Sequence, residues 1–211
     1  MSFETFEKLS IDKKELILST GIRAFSEKCY KEVSTEYITQ KCEISKGILF
    51  HYFGSKKAYY FYCLEKSMER LMARTEEIEG NDFYELLFAN MERKISICMQ
   101  YKDEMHMVNM ASRDASAEIA QQKEEIIRKY LHMGHLESEE FLRKVLMTLE
   151  FRENYNRRKL VEGLHMYIHA VLNKYLLQYQ QMPDQFFENS ENIKAEMKEY
   201  LDMMLYGICK Y

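Results

Sequence analysis

The sequence predicts an all-α protein, on three observations. Only one proline (Pro183) and seven glycines interrupt 211 residues. Leu, Glu, Lys, Met and Tyr are abundant, and apolar residues recur at three- and four-residue spacing over long stretches instead of alternating. With 46% hydrophobic residues, the chain can bury a core without disulfide or metal.

Ser10 is the expected N-cap of a first helix, in which Leu16, Ile17, Gly21, Ile22, Ala24 and Phe25 share a face as far as about Lys28. Ser34 or Thr35 caps a short second helix with Ile38 and Cys42 on its inner side. After a turn at Glu43 and Ile44, Ser45 caps a third that reaches about Phe53, and Gly54-Ser55 ends it and starts the next. A longer helix is expected over 56–79, then one capped by Asn81 or Asp82 to about Tyr101. Segments 102–112, 115–133 and 138–152 follow, with a break at Gly134-His135. Two strongly periodic helices, 156–180 and 191–209, close the chain, with Pro183-Asp184 between them.

Five widely spaced cysteines (Cys29, Cys42, Cys63, Cys98, Cys209), none in a Cys-x-x-Cys pair, point to neither a disulfide framework nor a zinc site. They fit a reducing cytoplasm, as does a stretch MSFETFEKLS that is no signal peptide. No run approaches the ~18 apolar residues of a membrane span. The net charge of −4 conceals an asymmetry: residues 1–60 hold ten Lys and Arg against eight Asp and Glu, so the remainder is acidic. An anionic partner is therefore expected at the N-terminal quarter.

Two short helices joined by a tight turn, the second opening on a cap and a lysine, have the layout of a helix-turn-helix. In that arrangement the N-terminal residues of the second helix meet base edges. Gly47 costs a helix about 1 kcal/mol relative to alanine, and its bare backbone would permit a close approach. Ser34, Thr35 and Ser45 sit where helix N-termini favour phosphate oxygens. Lys46 and Lys56 add charge in the first turns of two helices, and His51 and Tyr52 can donate hydrogen bonds to phosphate or bases. Ile48 and Phe53 are expected to hold the helix to its bundle. Plain packing of a short helix explains part of the same pattern.

The stretches ILSTGIRAF and STEYITQKCEISKGILFHYFGSKK resemble the N-terminal signature of the tetracycline-repressor (TetR) family over residues 14–60, above all at Ile38, Ser45, Lys46, Gly47, Leu49, His51, Tyr52, Phe53, Ser55 and Lys56. The resemblance implies a helix-turn-helix DNA-binding domain over 1–55 and a helical effector-binding and dimerisation domain over 56–211. It adds Leu49 and Phe50 to the DNA-facing set and implies a homodimer on a palindromic double-stranded operator, released by a small molecule. The two last helices would form the dimer's bundle through Leu164, Ile168, Leu172, Leu201 and Met204. Departures are expected to matter: Cys29 and Glu43 stand where the family usually has glycine, and Phe50 replaces a common tyrosine.

Met- and Tyr-rich residues 83–180 would suit an adaptable pocket for an apolar or amphipathic effector, but ordinary packing explains them equally well. His165 and His169, four apart, and His132 and His135, three apart, have spacings compatible with metal but are read as structural or dimer-interface residues, so no metal or other cofactor is expected. No Gly-rich phosphate loop, Gly-x-Ser-x-Gly or His-Glu-x-x-His motif points to an enzyme. The remaining alternative is a helical protein-interaction module that does not bind DNA.

Overall fold

Four consecutive helices near the start of the chain each begin at a serine. In the computed structural model, which describes residues 4–73, 78–150, 156–178 and 183–206 apart from the side chains of Leu172, Leu176, Pro183, Asp184 and Phe187, a four-residue helix α1 (Glu4–Glu7) precedes them. They are α2 (Ile11–Glu27), α3 (Thr35–Lys41), α4 (Lys46–Phe53) and α5 (Lys56–Leu71). Ser10, Ser34, Ser45 and Ser55 accept the N–H groups of Lys13, Tyr37, Ile48 and Ala58 at 3.3, 3.4, 3.2 and 3.1 Å. Each hydroxyl satisfies one of the donors a helix start leaves unpaired, worth about 1 kcal/mol.

The chain continues as α6 (Phe83–Gln100), α7 (Lys102–Arg113), α8 (Ala120–Val145), α9 (Arg157–Gln178), α10 (Pro183–Glu188) and α11 (Ser190–Leu205). No strand occurs among the described residues. Three expectations need correction. The helix expected over 56–79 ends at Leu71, with Met72 as its C-cap, and residues 74–77 of that expectation lie outside the described residues. Gly134 does not break the eighth helix, because one glycine costs only about 1 kcal/mol and both flanks are good helix formers. Pro183 opens a short helix, at the position where its missing N–H is harmless.

Packing divides the chain into two units, and the division does not fall at residue 55. The first holds residues 1–74 and 100–131. Here α2 packs on α7 and α5 around a core that includes Phe6, Ile17, Phe25, Phe53 and Tyr59. Tyr59 Oη donates to the Ile17 carbonyl at 2.5 Å, and a Cβ on Gly21 would lie 2.2 Å from that oxygen, so α2 and α5 meet this closely only because residue 21 is glycine. Arg70 of α5 joins Glu15 of α2 (2.5 Å) to Glu104 of α7 (2.6 Å). Asp114 accepts from the Tyr30 N–H at 2.5 Å. These ties explain why residues 100–131 belong with the N-terminal helices.

The second unit holds residues 75–99 and 132–211. Phe83 and Leu87 of α6, Leu142 of α8, Leu164 and Ile168 of α9 and Met197 and Leu201 of α11 form its core. Lys194 pairs with Glu92 at 2.6 Å, and Tyr167 Oη donates to the Tyr200 carbonyl at 3.0 Å. Cys42 and Cys63 are buried free thiols, Cys29 and Cys98 are half-buried, and Cys209 lies outside the described residues.

Candidate nucleic-acid interface

The connection between α3 and α4 is pinned from three sides. Ile44 N–H donates to Thr39 O at 3.0 Å, Cys42 N–H to Ile38 O at 3.0 Å, and Lys13 Nζ reaches from α2 to Cys42 O at 2.7 Å. Ile38 and Cys42 are buried, as their spacing predicts. Glu43 carries the turn at φ 52°, a left-handed conformation costing a side-chain-bearing residue roughly 1 kcal/mol. Cys29, the other non-glycine at a position where glycine is usual in the resembled family, escapes that strain, because its φ is −58°.

With the inner face fixed, the outer one follows. On α3 it presents Tyr37, Gln40 and Lys41, and on α4 Lys46, Gly47, Ile48 and His51, all exposed, with the capping Ser34 and Ser45 at the helix starts. Phe50 and Tyr52 are half-buried; Tyr52 packs edge-on against Phe6 at 5.8 Å. The backbone around Gly47 is open: a Cβ there would meet nothing nearer than Ser45 Oγ at 3.7 Å. Among the described residues no contact therefore requires glycine at this point.

Two residues expected to face DNA do not. Leu49 is 0% exposed and belongs to the core of the first unit, and Thr35 is buried with its hydroxyl donating to Glu36 Oε2 at 3.4 Å. Conversely Ile48, expected inside, is 40% exposed. The helix is rotated so that Leu49 and Phe53, four apart, face inward and the 47–48–51 edge faces out. Tyr37, Gln40, Lys41 and Ile48 are the surface residues missed; Tyr37 and Gln40 stand off the Ile38 side of α3, whereas which of Ile48 and Leu49 faces out is set by where α2 and α5 pack.

The lysines differ in how free they are. Lys46 Nζ is held by the Glu36 carboxylate and lies 5.9 Å from the centre of the Phe50 ring. The Lys46 bond, followed by backbone and Ser34 hydrogen bonds, pulls the Glu36 carboxyl down to about 2. Lys56 Nζ sits 4.6 Å over the Tyr30 ring and donates to Lys31 O at 3.5 Å. Burial pushes its ammonium below the usual lysine value.

The expected bundle residues of the second unit lie in its own core. Leu164 and Leu201 are fully buried, Ile168 nearly so and Met204 half-buried, close to Gly163, while the Leu172 side chain lies outside the described residues. Leu164, Ile168 and Leu201 are already covered within the chain, so these three are corrected as partner contacts. Among the described side chains, apolar ones that reach the surface include Met166 (66% exposed) and Leu177 on α9, Met203 (65%) on α11 and Tyr206, which caps the end of α11.

Between α6, α8, α9 and α11 lies a cavity of about 270 Å³, walled by Leu87, Met91, Phe141 and Ile168 and also lined by Lys94 and His165. The His165 ring packs against His135 at 4.4 Å and His169 at 5.3 Å. Among the described residues no three His, Cys, Asp or Glu side chains are arranged to hold a metal ion, and no helix is long and apolar enough to cross a membrane.

Comparison with known proteins gives a family-profile match within the first unit and weaker likenesses over most of the chain. Residues 17–61 match the sequence profile described as bacterial regulatory proteins, tetR family. The chain is 23% identical over 203 residues to the HTH-type transcriptional regulator YerO of Bacillus subtilis, covering 94% of this chain and 66% of that protein. It is 31% identical over 102 residues to the regulator YuxN of the same organism, covering 44% of this chain and 35% of the relative. The chain thus spans just under two thirds of the first relative and about a third of the second. A crystal structure of a TetR family transcriptional regulator from Chloroflexus aurantiacus shares the fold, with a TM-score of 0.62 at 16% identity over 99% of this chain and 98% of that one.

Proposed function

We propose, from the premise that this chain belongs to the tetR family of bacterial transcriptional regulators, that it binds a palindromic operator as a homodimer and is released by a small molecule held in its second unit. The observation that carries the DNA reading is Gly47: a helix-weakening residue, exposed beside Lys46 and His51, which no contact among the described residues requires. Clearance for a duplex accounts for it. Ser34, Ser45, Lys46, Gly47, Phe50, His51 and Tyr52 remain the proposed contact set, joined by Tyr37, Gln40 and Lys41, with Lys56 at its margin. In a dimer the two copies of α4 would enter successive major grooves about one helical turn apart.

The second copy would dock on the exposed apolar side of α9 and α11. Met166 and Leu177 are eleven residues apart and so lie almost in line on α9, and Met203 of α11 is three residues before Tyr206, its C-cap. A small molecule acts only through its differential affinity for the bound and released forms. Of the described helices α8 divides most evenly between the two units, whereas α6 gives the first only Gln100, which makes α8 the proposed carrier of the response.

A mobility-shift titration against DNA from upstream of the protein's own coding region tests this reading. The expected result is a sequence-selective complex that weakens steeply with salt. Lys46→Ala should lower affinity and reduce the salt slope by about one. Lys56→Ala should do less, because its ammonium rests on Tyr30. Absence of any selective complex would overturn the regulator reading and leave a helical protein-interaction module.

A further inference from the structure

One side chain of the proposed interface has no hydrogen-bonding group and yet stands at its surface. Ile48 is the third residue of α4 and is 40% exposed, whereas Leu49 and Phe53 of the same helix are buried. Its backbone is fixed, because Ser45 Oγ accepts the Ile48 N–H at 3.2 Å, and its β-branched side chain has little rotamer freedom in a helix. Exposed apolar residues are ordinary in themselves, Ile11 of α2 being 81% exposed. The position of Ile48 is what matters: Gly47 precedes it with an open backbone, and His51 follows three residues on, along the same edge. The neighbours are less available. Lys46 is held by the Glu36 carboxylate, and Phe50 and Tyr52 are half-buried.

We infer that Ile48 makes each half-site of the operator depend on a thymine, whose C5 methyl group it contacts in the major groove. The inference rests on the reading of α4 as the helix that enters that groove, and it names the base selected there. The N-terminal residues of such a helix meet base edges, and the third residue of α4 is among them. Of the groups that base pairs present in the major groove, only the thymine methyl is apolar. Ile48 can offer a guanine or an adenine no hydrogen bond in return for the water it displaces, and it would leave a cytosine amino group without a partner. Against the thymine methyl it removes apolar surface from water on both sides.

Gly47 and Ile48 then act together. An isoleucine side chain is short, so it reaches a base only if the backbone of α4 comes near the groove floor, and the bare Cα of residue 47 allows that approach. The gain is that of one buried methyl group, about fourfold in affinity for each half-site. His51 supplies a polar contact on the same edge and plays no part in the methyl preference.

Selection of bound duplexes from a random-sequence pool, run in parallel with the wild-type chain and with Ile48→Ser, tests the inference. The wild type should enrich a two-fold-symmetric sequence with a thymine at one fixed position of each half-site, which Ile48→Ser no longer fixes. On that enriched duplex, deoxyuridine in place of this thymine removes only the methyl group. It should weaken wild-type binding about fourfold per half-site, make no difference to Ile48→Ser, and cost Ile48→Val nearly as much as the wild type. Because residue 48 is exposed, Ile48→Ser should melt near the wild type, and the uracil comparison on the wild type needs no variant at all. A half-site without a fixed thymine, uracil accepted as well as thymine by the wild type, or an equal loss with uracil in Ile48→Ser would each overturn the inference and leave the regulator reading standing. A pool from which nothing is enriched would overturn both.

Discussion

In the first unit the residues of interest fall within positions 34–56 and face outward; in the second, Lys94, Ser138, His165 and Met197 come from four helices and line a cavity. The difference lies in how each kind of site departs from packing. A surface that receives a partner needs caps, charges and a small residue where a helix built only for stability would have none. A cavity is lined by the same Leu, Met and Phe that fill a core, so its residue types do not distinguish it.

The contrast can be broken most severely inside the second unit. Leu201→Asp buries a charge at a fully covered position and should cost more than about 4 kcal/mol, unfolding that unit. Met203→Asp, two residues on and exposed, should leave the melting curve near wild type but yield monomers in sedimentation. If Met203→Asp remains a dimer, the second copy docks elsewhere.

The first unit offers gentler tests. Glu36→Gln removes the carboxylate that holds Lys46, so operator affinity should rise several-fold and the salt dependence should steepen. An unchanged affinity would mean that Lys46 is not a phosphate contact. Glu43→Gly relieves a left-handed backbone and should stabilise the unit by about 1 kcal/mol, or about 2–4 °C in Tm, with operator binding intact. The smallest effect belongs to pH. His165 has a folded value below its unfolded one near 6.5, so protonation favours unfolding. Stability should be full above about pH 6.5 and decline as pH falls below it, and His165→Leu should remove that part of the decline.

The helix starts at Ser10, Ser34, Ser45 and Ser55 were legible because a cap is a local signal: one hydroxyl and one N–H three residues on. The proposed DNA-facing residues fall in the same short stretch, 34–56, with Lys46 beside Gly47. What could not be read was tertiary. Whether Ile48 or Leu49 faces in depends on where α2 and α5 lie, and one residue of rotation exchanges them. Gly134 reads as a break, but the helix formers on both flanks outweigh its cost of about 1 kcal/mol. The bundle residues were misassigned for the same reason: a strong apolar stripe says that Leu164 and Leu201 are covered, but not whether the cover is the same chain or a second one.

The most direct test of the account is a paired measurement on Gly47→Ala, reading thermal stability and operator affinity from the same preparation. Because no contact among the described residues needs glycine there, alanine should stabilise the protein by about 0.5–1 kcal/mol. Because the glycine is clearance for DNA, the same change should weaken operator binding about tenfold or more. A variant that gains stability and binds its operator as tightly as before would contradict the claim.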